Sequence, residues 1–297
     1  MSSPTTARPL ASTLNATAET PLFFECAGRP LYAVHYPARA ARPGAPLLVV
    51  CHSLGVEQLT VYRSEVQAAR AAAAVGVPAF HHHARGHGDS AGDFADVTFE
   101  GLVEDALGAA REGLERSPAR GVVWLGVRFG ALVAAAAARR APGEVGSGET
   151  RGIALWEPAH RPHDYFRGQL RGLLYSQVAK GERPEADADQ LLERVSREGS
   201  VDVHGYFLHR ALVASSADQD LAGLLEGWQG PTLLAQIQAR GRLAPDHAAL
   251  VARLAARGVG VRTVRVGEEP GWHFISNPAW EAPALIEGTR EWLRALA

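Results

Sequence analysis

The sequence predicts an α/β domain built on a mostly parallel sheet with helices on both faces. Two observations carry this. Short, uninterrupted apolar runs alternate along the chain with amphipathic stretches of helical spacing, and strands buried on both faces read as continuous apolar runs only in such sheets. The length supports it: 297 residues, 46% of them hydrophobic and 21% charged, bury a full-sized core.

Residues 1–20 have no apolar periodicity and read as a disordered tail; they also lack the apolar stretch of a signal peptide. The domain is expected over 21–297. Runs 22–26 and 31–36 are β-prone and flank Ala27-Gly28-Arg29, a hairpin signal. PLLVVC (46–51) is a buried strand. A helix is expected over 62–74, stopped by Gly76, and a strand over 77–81 that runs into a loop at 82–90. In 99–116, Leu102, Ala106, Ala110 and Leu114 share a helix face. GVVWL (121–125) and GIALW (152–156) are further buried strands, separated by an alanine-rich helix at 129–140.

From 158 to 228 the rhythm changes to mostly amphipathic helix, broken at Gly181-Glu182-Arg183-Pro184. This block reads as a helical cap inserted over one end of the sheet. The βα alternation then returns: strand 231–237, helix 247–256, strand 259–266 and helix 279–296.

Composition excludes several classes. A formal charge of −2 argues against a nucleic-acid binder acting through bulk charge. Two cysteines, Cys26 and Cys51, make no disulfide framework, and there is no CxxC for zinc. A cytoplasmic setting fits. No apolar window is long enough to span a membrane. No cofactor or metal is expected, and the chain is taken as a monomer or homodimer.

Three segments carry chemistry. Cys51-His52-Ser53-Leu54-Gly55 follows the first long buried strand, Arg85-Gly86-His87-Gly88-Asp89-Ser90 follows the next, and Gly126-Val127-Arg128-Phe129-Gly130 joins a strand to a helix. Together they resemble the α/β-hydrolase superfamily: an oxyanion-hole loop, the R-G-x-G-x-S turn, and the sharp elbow that presents the nucleophile. A narrower resemblance, to hydrolase-fold proteins of bacterial exosortase and exopolysaccharide gene clusters that are similar to serine aminopeptidases, rests on residues 21–25, 88–94, 201–206 and 281–286.

The middle of the elbow departs from that pattern. It holds Arg128, and a guanidinium is always protonated and cannot attack a carbonyl. After strand 231–237 the family's acid is also missing, since the chain reads Gln238-Ala239-Arg240-Gly241-Arg242. Glu157, at the end of GIALW, is the better carboxylate, and His273 follows the last strand where the resemblance places the base. An arginine at a helix start opposes the dipole and needs an anion. That anion is either a protein carboxylate (Glu57, Glu157 or Asp89) or the carboxylate or phosphate of a ligand.

The candidate catalytic set is therefore His273, Glu157 and Arg128, with His52, Ser53, Leu54 and Phe129 as ligand-binding candidates. Ser53 reads as a packed loop serine or a displaced nucleophile, Cys51 as a packed thiol, and Ser90 as structural. His81, His82, His83 and His87 could assemble three metal ligands with Asp89 as a carboxylate, but they show no HxxxH or HExxH spacing; the alternatives are pocket lining or loop packing. The function implied is a pseudo-hydrolase, or non-serine variant, that binds a small anionic ligand. The alternative is an active hydrolase or acyl-transfer enzyme acting on an ester, thioester or amide through a rebuilt site.

Overall fold

A computed structural model describes residues 19–40, 42–146, 149–237, 241–268 and 280–296. All but the last two residues of the expected tail lie outside them. Those two, Glu19 and Thr20, are ordered: Thr20 opens the first strand, and Glu19 takes a two-pronged hydrogen bond from Arg70.

Strands β1 (Thr20–Cys26) and β2 (Arg29–Tyr36) form the expected hairpin. They are followed by β3 (Leu47–Cys51), β4 (Ala79–His82), β5 (Val122–Val127), β6 (Thr150–Trp156), and then β9 (Thr232–Ile237) and β10 (Val261–Val266). The sheet order is β1-β2-β4-β3-β5-β6-β9-β10. Pairing is antiparallel through β2–β4 and parallel from there onward.

Every residue of β3, β5 and β9 is buried, because successive side chains feed opposite layers. Leu47, Val49, Trp124 and Leu234 pack with α2 (Phe99–Glu115) and α3 (Gly130–Glu144). Leu48, Val50, Leu125 and Leu233 pack with α1 (Val56–Ala74) and α9 (Pro283–Leu296). Thr98 caps α2 by accepting from the Gly101 N–H, the kind of start signal a sequence shows openly.

Helix α1 starts six residues ahead of the expected 62. Its N-cap is Gly55, at φ 57°, with no side-chain cap, so no Ser, Thr or Asp marks the start. Residues 158–228 are also less uniform than expected. They hold α4 (Pro162–Ala179), α5 (Ala188–Glu198), α6 (Arg210–Ser216) and α7 (Leu221–Leu224), together with an antiparallel pair, β7 (Ser200–Val203) and β8 (Tyr206–His209). The hairpin turns at His204 and Gly205, both at positive φ, the geometry of tight two-residue hairpins. α8 (Pro245–Ala255) lies between β9 and β10. Among the described residues no helix is long and apolar enough to cross a membrane.

Candidate active site

The elbow forms where β5 runs into α3. Arg128 sits between them at φ 56°, a conformation that costs a side-chain-bearing residue energy. Its main chain is pinned: its N–H donates to Trp156 O, and its carbonyl accepts from the Ala159 N–H. The flanking glycines are obligatory. A Cβ at Gly126 would stand 2.4 Å from Ala131 Cα, and one at Gly130 2.2 Å from Cys51 O, both backbone atoms with no freedom to retreat.

The Arg128 guanidinium lies on Glu57, in the first turn of α1. Nε donates to Oε1 at 3.1 Å and Nη2 at 3.0 Å. Glu57 is 1% exposed, and its other contacts come from α4: the Tyr165 hydroxyl donates to Oε2 (2.9 Å) and Gln169 Nε2 to Oε1 (2.6 Å). The guanidinium also stands 5.6 Å from the Tyr165 ring centroid. Burial alone would lower the Arg128 pKa, but the Glu57 carboxylate reverses the sign and the guanidinium is held charged. Burial, then Glu57, push the Tyr165 phenol well above its usual range, so it stays protonated and donates.

Of the three protein carboxylates open to Arg128, Glu57 is thus the partner. Glu157 meets the guanidinium through its main-chain carbonyl, which accepts from Nη1 at 3.3 Å. The Glu157 carboxylate instead ties two strand ends together: Oε2 accepts from the Ile237 N–H (2.6 Å), and Oε1 lies 3.5 Å from His247 Nε2. His247 Nδ1 is in turn 2.8 Å from His160 Nε2. Asp89 lies on the far turn beside His83. His273 and 238–240 fall outside the described residues.

The oxyanion-type loop is packed shut. His52 Nε2 accepts from the Ala84 N–H (3.1 Å), so Nδ1 carries the hydrogen and donates to Ser53 O (2.6 Å). The ring is neutral, because burial and the neighbouring His87 lower its pKa to about 3. Ser53 is fully buried, and both its N–H and its hydroxyl donate to Glu65 Oε1, at 2.9 and 3.0 Å. Glu65 Oε2 lies 3.4 Å from His81 Nε2. Burial would raise the Glu65 pKa, but His81, His52 and the Ser53 N–H outweigh it.

A serine whose proton points at a buried carboxylate, with no solvent access, is not a displaced nucleophile. Cys51 is 2% exposed and burial raises its pKa, which makes it an inert packed thiol. Ser90 is structural: its hydroxyl donates to His83 O and accepts from the Tyr32 N–H.

The side chains of the ligand-binding candidates Ser53 and Phe129 are fully buried, and Phe129 packs against Tyr165 and Phe166 at ring distances of 5.3 and 5.4 Å. His52, also buried, is held by its two main-chain partners and lies 3.3 Å from Gln58 Nε2. Leu54 does line a small, mostly apolar pocket of about 40 Å³, together with Tyr165, Phe166 and the β7–β8 hairpin.

Sequence reading missed Glu65, Tyr165, Gln169, His160 and His247. The polar residues at α1 positions 57 and 65 were a signal, since a helix packed on a sheet rarely buries carboxylates without a partner. Arg85 was another: its guanidinium grips Asp105 with several hydrogen bonds and also reaches Glu104, which fixes the turn after β4. Among the described residues no group of three or more His, Cys, Asp or Glu stands close enough to hold a metal ion.

The whole arrangement superposes on solved structures. Est1E from Butyrivibrio proteoclasticus, at 14% identity, superposes with a TM-score of 0.64 over 93% of this chain and 98% of its own. The same protein with ferulic acid bound gives 0.62 at 15% identity, over 91% and 96%. This chain has the α/β-hydrolase fold. Proline iminopeptidase of Mycobacterium smegmatis shares that fold at 15% identity, with a TM-score of 0.58 over 93% and 98%. At these identities the likeness concerns the fold alone. No protein-family model and no curated protein sequence matches the chain.

Proposed function

We propose that this protein is a hydrolase-fold binding protein without serine-hydrolase chemistry, a pseudo-hydrolase whose ligand enters beneath residues 158–228. One observation carries the reading: the nucleophile position is filled by an arginine locked to Glu57, and Tyr165 and Gln169 from α4 close over that pair. No group there attacks a carbonyl, and the cavity beside Tyr165 and Gln169 is small and mostly apolar. A small anionic ligand enters this reading as a competitor for Glu57, because the Nε and Nη2 edge of Arg128 already holds that carboxylate.

The narrower resemblance to exopolysaccharide-cluster proteins suggests a role beside polysaccharide assembly. The cytoplasm suits two buried, unbridged cysteines.

The second reading, a hydrolase or acyl-transfer enzyme with a rebuilt site, draws on the elbow backbone, which keeps its positive φ and both glycines, and on neighbours that include a proline iminopeptidase. Steady-state assays with p-nitrophenyl acetate, a thioester and an aminoacyl p-nitroanilide separate the two. The pseudo-hydrolase reading expects wild type and Arg128→Ala to be equal to buffer. Turnover by wild type that Arg128→Ala abolishes establishes the enzyme instead.

A further inference from the structure

A larger groove opens between α1, the turn after β4 and the β7–β8 hairpin. Its volume is about 670 Å³, within the range of small-molecule sites. Its walls are mostly rings. At one end His83 packs between Tyr32 (4.9 Å) and Tyr62 (5.4 Å). At the other, Phe94 packs against His87 (4.9 Å) and His209 (6.1 Å). Phe207 is 49% exposed. The charges on the wall are the carboxylates Asp89 and Asp93, both exposed, and no arginine or lysine lines it among the described residues. Arg85, on the same turn, faces away toward Asp105 and Glu104.

The ring nitrogens can be assigned from their partners. His87 Nδ1 lies 3.0 Å from Arg85 O, a group that only accepts, so Nδ1 carries the hydrogen. Nε2 is then a bare acceptor, buried and without a partner, on a residue 5% exposed that lines the groove. His83 Nδ1 accepts from the Asp89 N–H, so its Nε2–H donates to the Tyr62 hydroxyl at 3.0 Å. Burial lowers both pKa values to about 4, so neither ring adds positive charge near neutral pH.

We propose that this groove binds an organic ammonium with an aromatic body. Ring faces attract a cation, and Asp89 and Asp93 add opposite charge. An anion would meet two carboxylates and no compensating cation. This inference does not depend on whether the elbow turns over a substrate.

The test is calorimetric titration of the full chain with 2-phenylethylammonium, 2-phenylethanol and 3-phenylpropanoate. The ammonium should saturate and bind roughly tenfold tighter than the alcohol, with the carboxylate weakest. Added salt should weaken the ammonium alone. Asp89→Asn with Asp93→Asn, where asparagine still caps the short turn that Asp93 begins, should weaken it roughly fivefold, and Phe207→Ala should weaken it as well. Circular dichroism checks that each variant is folded. No saturation by about 10 mM, equal or tighter binding of the alcohol or the carboxylate, or unchanged affinity in the double asparagine variant would each overturn the proposal.

Discussion

Glu57 and Arg128, 71 residues apart in sequence, meet at 3.0 Å beneath the inserted segment, at the turn that joins β5 to α3. A buried pair of this kind adds little relative to a packed apolar pair, but losing one partner strands the other. Glu57→Gln should therefore destabilise the protein by about 3–5 kcal/mol, read as a lower midpoint in urea unfolding. Glu57→Leu combined with Arg128→Met should recover most of that loss. A single variant as stable as wild type would mean the pair carries no structural load.

Placing a serine at position 128 should not create a hydrolase. Arg128→Ser leaves Glu57, 1% exposed, as an unpaired carboxylate beside the new hydroxyl. Hydrolysis of p-nitrophenyl acetate by Arg128→Ser should equal that of Arg128→Ala. A rate tenfold above Arg128→Ala would show that a working base and acid are in place.

Fluorophosphonate probes should leave the native protein unlabelled. Ser53 is fully buried and its hydroxyl is directed to Glu65. Mass spectrometry of probe-treated protein is the measurement. Stoichiometric modification of any serine in folded protein would contradict the packing described above.

Stability should fall as the medium is acidified. Burial, with help from neighbouring rings, lowers the pKa of His52 to about 3 and of His83 and His87 to about 4, from an ordinary value near 6.5. The unfolded chain binds protons that these rings refuse in the folded state, so the stabilisation is complete above pH 6.5 and drains away toward pH 4. Each ring contributes up to about 1.4 kcal/mol per pH unit in that window. Urea midpoints at pH 7.5, 6 and 5 should decline in that order, and a flat profile would contradict neutral buried rings.

The inserted segment should open more readily than the sheet. Tyr175 and Val178 on α4 are exposed large apolar residues, whereas β3 and β5 are buried throughout. Amide hydrogen exchange in 158–228 should run faster than in 47–51 and 122–127. Equal protection would mean that the segment is a fixed part of the core and not a lid.

The sheet and its elbow were legible in the sequence because their causes are local. Short continuous apolar runs rich in β-branched residues suit strands covered on both faces, and a Cβ at Gly126 or Gly130 would meet backbone. The same local information excluded serine chemistry at the elbow, since that depends only on which residue stands at 128. What Arg128 does was not local. Glu57, Glu157 and Asp89 were all candidate carboxylates, and the choice fell to Glu57 because α1 begins directly after Gly55 and its first turn lies against Arg128. The β7–β8 hairpin escaped notice for a related reason: its four-residue strands are too short to show a period, and pairing across the turn defines them. The aromatic groove likewise exists only where three distant segments converge. Residue identity limits the chemistry a position can perform, while the partner that uses or silences it is set by packing between elements far apart in the chain.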